Sequence, residues 1–316
     1  MARNKKGHVT ISVQHLIERN TGKRKKAQRI NQMVPFVLRI IASISIVTTM
    51  GIIVTLANET FMFFDRVSIV SFFTEKEWIP FFDNPKFGIL PLIYGTVLVT
   101  VIAMIVAIPI GLGCAVFLSE YASHAARKVL KPALELLAGI PTIVYGFFAL
   151  TVVTPILQRI VPNLQFFNAL SPGIVIGIMM IPTIASLSED AMRAVPHKMR
   201  EASFAIGATR FETTKYIVLP AAFTGILAAI VLAASRAVGE TMIVVIAGGS
   251  TPSLSLNPSQ SIQTLTAYIV QVSLGDAPYG TMSYYSMYAV GATLFMFTLI
   301  MNMIAQRIMR RFKRAT

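Results

Sequence analysis

Apolar residues in this chain are gathered into long runs separated by polar segments. A helix that crosses a bilayer needs about 20 mostly apolar residues. Six runs meet that length, at roughly 34–57, 89–118, 133–157, 170–189, 220–247 and 284–306. The second is long enough for a tilted helix or for a helix with a short interfacial continuation. The pattern predicts an all-α membrane protein with six transmembrane helices. Residues 34–306 form its membrane domain, flanked by a basic arm (1–33) and a basic tail (307–316). Pro and Gly interrupt two of the runs, in Gly139-Ile140-Pro141-Thr142 and in Met180-Ile181-Pro182-Thr183. Such breaks survive in a membrane only where neighbouring helices or a polar cavity satisfy the freed backbone groups, so an internal route is expected.

Composition agrees with the pattern. Hydrophobic residues make up 54% of the 316 and charged residues 13%, and the mean hydropathy is +0.66. A soluble domain of this size does not cover so much apolar surface. The net charge of +14 raises the possibility of nucleic acid as a partner, but the basic residues sit between and beyond the apolar runs, as in a membrane protein. About thirty polar residues precede the first run, too long a lead for a cleavable secretory signal, so that run is expected to stay as an anchor. The single cysteine, Cys114, lies inside a run and permits no intrachain disulfide. It reads as a small buried apolar residue.

Charge also sets orientation. Residues 1–33, 119–132, 190–219 and 307–316 hold twenty-two of the 28 Lys and Arg, whereas 58–88, 158–169 and 248–283 hold four. The positive-inside rule places both termini, and the segment 190–219, in the cytoplasm. The other two basic residues are within runs. Arg39 is near enough to the cytoplasmic end to snorkel. Arg236, roughly 24 Å along a helix counted from Pro220, is deep in the bilayer or in its outer half.

The stretch EASFAIGATRFETTKYIVLP (201–220) stands out among the cytoplasmic segments. Residues 190–206 suit one helix, ended by a left-handed cap at Gly207. Thr209-Arg210-Phe211-Glu212 fits a capping box that starts a second helix. Pro220 is tolerated at the start of the next helix, where its missing N–H costs little. An amphipathic pair lying on lipid headgroups and a pair docked on a partner protein fit the spacing about equally well. Glu201-Ala202-Ser203, Gly207 and the closing Leu219-Pro220 resemble the signature loop of ABC importer permeases, with Ser203 where the pattern usually has Ala. The resemblance implies a coupling helix seated in a groove of a partner ATPase.

It extends further. SLSEDAMRAVP (186–196), the run Ser235-Arg236-Ala237-Val238-Gly239-Glu240-Thr241-Met242, FGILPL (87–92), LKPALELLAGIPTIVYGFFAL (130–150) and TAYIVQVSLGD (266–276) are similar to the phosphate-specific transport permeases, most of all their C-type subunit. About residues 34–312 take part. This implies a type I importer (MetI-like) permease fold in a bacterial plasma (inner) membrane. It also implies a homologous A-type permease as heterodimer partner, a dimer of ABC ATPase, an extracytoplasmic phosphate-binding protein, and inorganic phosphate as the transported ion.

Arg236 and Glu240 are four residues apart and are expected to share a helix face. Intramembrane charges cost a few kcal/mol and normally face a cavity or a partner. Two readings are open. The pair neutralises itself or braces a second subunit; or Arg236 offers a guanidinium fork to phosphate while Glu240 accepts a hydrogen bond from a protonated phosphate oxygen. Sulfate carries no such proton at neutral pH, so the second reading favours phosphate. Thr142 and Thr183, each after a proline, are candidates to line the same pathway, although such hydroxyls commonly back-bond within their own helix. Tyr145 reads as packing and Glu135 as interfacial. Glu189 and Asp190, where span four meets the cytoplasm, form either a solvated end or a hinge, the latter implied by their place in the family pattern.

No Gly-x4-Gly-Lys-Ser/Thr stretch occurs, so the chain has no phosphate-binding loop for ATP of its own. His8, His15, His124 and His197 are scattered over polar segments, and no metal constellation or nucleophile triad is legible. The chain is expected to bind no cofactor and to be no enzyme, with ATP and Mg used by the partner. Alternatives are a permease for sulfate or molybdate, disfavoured by Glu240, and an ion-gradient-driven carrier, which typically shows several intramembrane charges and inverted repeats. A membrane-bound enzyme is more distant, for want of a catalytic cluster.

Overall fold

The computed structural model describes residues 13–313, and the side chains of 31 and 33–310 within them. The ends of the expected basic arm and tail, residues 1–12 and 314–316, lie outside the described residues. The chain divides into two compact units, 1–55 and 56–316. In the first, a helix begins at Val13 and continues as α1 (Val13–Phe64). Its apolar part, Met33–Phe64, is long enough to cross a membrane.

The second unit is built around α3 (Leu90–Val116), α7 (Leu170–Arg193) and α10 (Leu219–Val238). Between bilayer helices the surrounding lipid is as apolar as leucine, so association relies on close packing of small residues. A side chain at Gly177 would meet the Ala103 carbonyl at 2.7 Å, and one at Gly173 would meet Ile102 at 2.6 Å. α3 and α7 therefore approach closely, and α7 becomes the central helix. Ile176, Met179, Met180 and Ile184 are buried along it. Pro182 does not break this helix, contrary to the expected interruption at Met180–Thr183. One lost hydrogen bond is tolerated in a helix held on several sides.

The third expected span does break. α4 (His124–Ala138) and the run formed by α5 (Thr142–Phe148) and α6 (Thr154–Gln158) meet at 86° across Gly139–Pro141. Pro141 has no N–H to give the Leu137 carbonyl, and the Tyr145 hydroxyl donates to that oxygen at 2.7 Å. Tyr145 is thus a structural clamp. Among the described residues five helices, or six with the bent pair, are long and apolar enough to span.

Two wide π-turns prepare for prolines. In Ala149–Val153 and Thr214–Val218 the ladder shifts to five-residue spacing, closing with Thr154 N–H on the Ala149 carbonyl and Leu219 N–H on the Thr214 carbonyl. Pro155 and Pro220 follow at once, where the ladder is already displaced. As a result α9 (Arg210–Thr213) runs through its π-turn into α10, and the helix starts at Arg210 rather than near Pro220.

Opposite corrections apply elsewhere. The expected helix 190–206 is split at Ala194–Pro196 into the end of α7 and α8 (His197–Ala205), since the residue before a proline leaves the helical region. The expected run 220–247 is split at Gly239–Thr241 into α10 and α11 (Met242–Ala247).

The remaining elements cap the side away from the basic loops. They are α2 (Ile69–Thr74), a two-stranded ribbon of β1 (Trp78–Ile79) and β2 (Lys86–Phe87), and α12 (Leu265–Gln271). Phe63, Phe72, Trp78, Phe87 and Tyr268 stack edge to face, with Trp78 and Tyr268 centroids 4.8 Å apart. α13 (Met282–Lys313) closes the bundle against α10 and α12.

Candidate functional site

Two places in the second unit concentrate polar groups against the apolar background. The first is the break between α10 and α11. The Thr266 hydroxyl donates to the Glu240 carbonyl at 2.9 Å and lies 3.0 Å from the Thr264 hydroxyl. The Thr96 hydroxyl on α3 accepts from Leu265 N–H at 3.0 Å and donates to the Leu92 carbonyl at 2.8 Å. The Thr266 hydroxyl thus takes up the Glu240 carbonyl freed at the break, while Thr96 and Thr264 satisfy the start of α12 beside it.

Glu240 itself is 9% exposed. Its carboxylate faces the backbone N–H groups of Ile243, Thr241 and Met242, the first turn of α11. That position suits an anion, because the first N–H groups of a helix have no partner within it. Arg236, by contrast, is exposed on α10, and no ion pair joins it to Glu240 among the described residues. The expected shared helix face is therefore not formed. The chain leaves the helix after Val238, so Glu240 sits beside the start of α11, while Arg236 stays on α10, exposed and near enough to act on the Glu240 carboxylate without pairing with it.

The second place is the end of α7 nearest the basic loops. Glu189 is fully buried, at 0% exposure. Three cations surround it: Arg127 Nε at 3.4 Å, Lys131 Nζ at 3.3 Å and Arg193 at 3.6 Å. Lys131 also reaches Asp190 at 3.3 Å. Arg127 and Lys131 come from α4, so the carboxylate pins α4 to α7. An unpaired buried carboxylate is too costly to persist, which makes the clamp a packing requirement as much as an attraction. A cavity of about 180 Å³ adjoins it, lined by Lys131, Glu135, Thr183, Ser186 and Glu189 among others. Thr183 belongs to this cavity. Thr142, the half-buried first residue of α5, does not line it, nor do Arg236 and Glu240.

Beyond α7 the chain makes a helix–turn–helix. Gly207 has φ +89° with open space around its Cα, so the left-handed backbone alone selects glycine there. The Thr209 side chain accepts from Glu212 N–H while the Glu212 carboxylate accepts from Thr209 N–H at 2.8 Å, which starts α9. The Ser203 hydroxyl lies 2.9 Å from the Thr213 hydroxyl, both buried, and ties α8 to α9. Glu201 and Ala202 are exposed, as are the apolar Phe204, Ile206 and Phe211 near the turn. Leu219 is half-buried and Pro220 exposed at the foot of α10.

Sequence reasoning missed Arg200 and Glu120. The Arg200 guanidinium donates to the Glu120 carboxylate at 3.0 and 3.3 Å, to the Val195 carbonyl at 2.6 Å and to the Met192 carbonyl at 2.8 Å. Nothing in the spacing announces a pair eighty residues apart. The one signal available was a Glu just beyond the apolar end of the second run.

Comparison with known proteins adds independent findings. The model of the family described as the binding-protein-dependent transport system inner membrane component matches residues 107–314. The chain is 37% identical over 245 residues to a probable ABC transporter permease protein of Bacillus subtilis, YqgH, covering 76% of this chain and 79% of that protein. It is 34% identical over 263 residues to the phosphate transport system permease protein PstC of Mesorhizobium japonicum, covering 76% and 78%. For PstC of Xylella fastidiosa the figures are 35% over 268 residues, 78% and 80%. Among solved structures, a chain of a bacterial alginate ABC transporter bound to its pentasaccharide-loaded periplasmic protein superposes with a TM-score of 0.61 at 16% identity, covering 87% of this chain and 94% of that one. A chain of the inward-facing MetNI methionine ABC transporter gives 0.55 at 19% identity, with 69% and 93% covered. At these identities the structures establish the fold.

Proposed function

The chain belongs to the binding-protein-dependent transport system inner membrane components, the ABC importer permeases, and from that premise we propose how it works. It is a multi-pass inner-membrane permease subunit of an importer for inorganic phosphate. The observation that carries the phosphate assignment is identity of 34–35% with phosphate transport permeases over about three quarters of the chain. Its working assembly pairs it with a homologous A-type permease, a dimer of ABC ATPase and an extracytoplasmic phosphate-binding protein. ATP and Mg are used by the ATPase, and this chain binds no cofactor of its own.

In this reading the helix–turn–helix faces the cytoplasm and α8 docks on the ATPase. The exposed Glu201 and Ala202, with apolar Phe204, Ile206 and Phe211 beside them, supply a surface that water alone leaves uncovered. Gly207 and the Ser203–Thr213 bond hold its shape. Arg236, exposed on α10 at membrane depth, faces the interface with the second permease, where the ion passes between the two. Glu240, Thr142 and Thr183 take part from the broken or proline-marked helices, and Glu189 with Asp190 works as a hinge against α4. Contacts along the path are transient, since tight binding blocks conduction.

The test is reconstitution of the four components in proteoliposomes with ATP enclosed on the cytoplasmic side. ATP-dependent phosphate uptake that excess sulfate does not suppress is the expected result. Uptake of sulfate at an equal rate, or phosphate uptake without ATP, overturns the reading.

A further inference from the structure

Arg200 sits one residue before the exposed Glu201, yet its own side chain is only 11% exposed. It faces inward, away from the surface offered to the ATPase. Its guanidinium is committed to three parts of the chain at once. Two N–H groups end on the Met192 and Val195 carbonyls, at the end of α7 where the helix runs out before Pro196. Terminal carbonyls lack intrahelical partners, and a planar fork of five donors suits them. The remaining bonds reach Glu120, whose side chain is 9% exposed and which lies in the π-turn Phe117–Tyr121 at the end of α3. Ser119 donates a further hydrogen bond to the same carboxylate at 2.8 Å. A second contact runs parallel: the Arg210 guanidinium, at the start of α9, lies 5.8 Å from the centroid of the Tyr121 ring.

We propose that the Arg200–Glu120 pair is the joint through which movement of α8 is carried into α3, making Arg200 a positioning residue for transport and not a contact for the ATPase. The inference rests on the coupling role assigned to α8 above. Covalently, α8 is joined to α7 only through Ala194–Pro196, a short non-helical link whose Val195 is buried. A push on α8 therefore spends itself in that link unless something stiffens it. Arg200, itself on α8, does so by bonding the Met192 carbonyl before the link and the Val195 carbonyl within it, and through Glu120 it extends the grip to the end of α3, which packs closely against α7. The π-turn that carries Glu120 is a place where a helix gives way without unfolding. Rigid elements with a compliant turn between them are what a two-state gate needs.

The experiment uses the complete importer in proteoliposomes and reads phosphate moved per ATP hydrolysed, with co-purification of the ATPase as a control. For Arg200→Gln the expected result is ATPase retained at the wild-type ratio, hydrolysis within about twofold of wild type, and phosphate per ATP lower by tenfold or more. Arg200→Lys, a single charge without the fork, restores the ratio only in part. A merely structural role moves uptake and hydrolysis together and leaves their quotient unchanged, which overturns the proposal. Loss of the ATPase from the complex overturns it as well, because it makes Arg200 part of the docking surface. Should the Arg200→Gln permease not fold into the membrane, Glu120→Gln on α3 decides: an unchanged quotient there refutes the joint, a tenfold fall supports it. If the wild-type complex itself lacks ATP-driven phosphate uptake, it is the assignment of function that fails.

Discussion

Glu240→Gln separates the two roles the structure leaves to this carboxylate. Glutamine keeps a polar group of the same shape beside the N–H groups of Thr241, Met242 and Ile243 at the start of α11. What disappears is the charge. A carboxylate at a helix N-terminus contributes about 0.3–1 kcal/mol when exposed and up to ~2 kcal/mol when partly buried, and Glu240 is of the second kind. The change thus costs less than ~2 kcal/mol of stability, while the Thr266 bond to the Glu240 carbonyl is untouched because it involves the backbone. If the carboxylate accepts a proton-bearing phosphate oxygen on the path, losing it removes a charge-assisted hydrogen bond of about 1.5–3 kcal/mol. That corresponds to a fall in uptake of tenfold or more. The assay is phosphate and sulfate uptake by the reconstituted importer, with binding-protein-stimulated ATP hydrolysis followed in parallel. The expected outcome is a tenfold loss of phosphate uptake, hydrolysis retained, and a narrower preference over sulfate. Uptake within twofold of wild type with unchanged selectivity refutes the pathway role and leaves Glu240 as a cap. Glu240→Ala, which removes the cap too, costs about 1 kcal/mol more than the glutamine variant by thermal unfolding in detergent.

Gly207→Ala meets no neighbour but places a Cβ at φ +89°; a cost of about 1–2 kcal/mol is expected, read as weaker retention of the ATPase during purification. Ser203→Ala leaves the buried Thr213 hydroxyl without its partner and lowers stability by about 1–3 kcal/mol, whereas the double variant with Thr213→Val recovers most of the loss; a thermal-shift double-mutant cycle gives the coupling. Glu189→Ala leaves Arg127, Lys131 and Arg193 crowded around an uncharged gap. Because those cations are partly exposed, the loss is expected near 1–3 kcal/mol rather than the 3–5 kcal/mol of a fully buried pair, and limited proteolysis at α4 reports the release.

Membrane insertion, orientation and the helix–turn–helix are all legible in the residues, because each rests on a local sum or a local geometry. Twenty apolar residues cross a bilayer whatever surrounds them, and the excess of Lys and Arg in alternate loops acts before the helices pack. A glycine followed by Thr-Arg-Phe-Glu ends one helix and starts another within seven residues. The break at Gly239–Thr241 is different. Its residues sit in an apolar run that reads as helix, and the hydroxyl that takes up the Glu240 carbonyl at the break, that of Thr266, comes from α12. So Arg236 and Glu240, four apart in sequence, do not share one helix, because the chain leaves α10 at Val238. The reverse happened at the other end of the bundle, where Glu189 met Arg127 and Lys131, and Arg200 met Glu120, across some sixty to eighty residues. Proline followed the same division: Pro141 and Pro196 ended helices, while Pro182 and Pro220 were absorbed, by packing in one case and a π-turn in the other. What a residue does to its own turn is written in the sequence. Which distant group satisfies the atoms that turn leaves unpaired was decided only when α3, α4, α7 and α10 packed together.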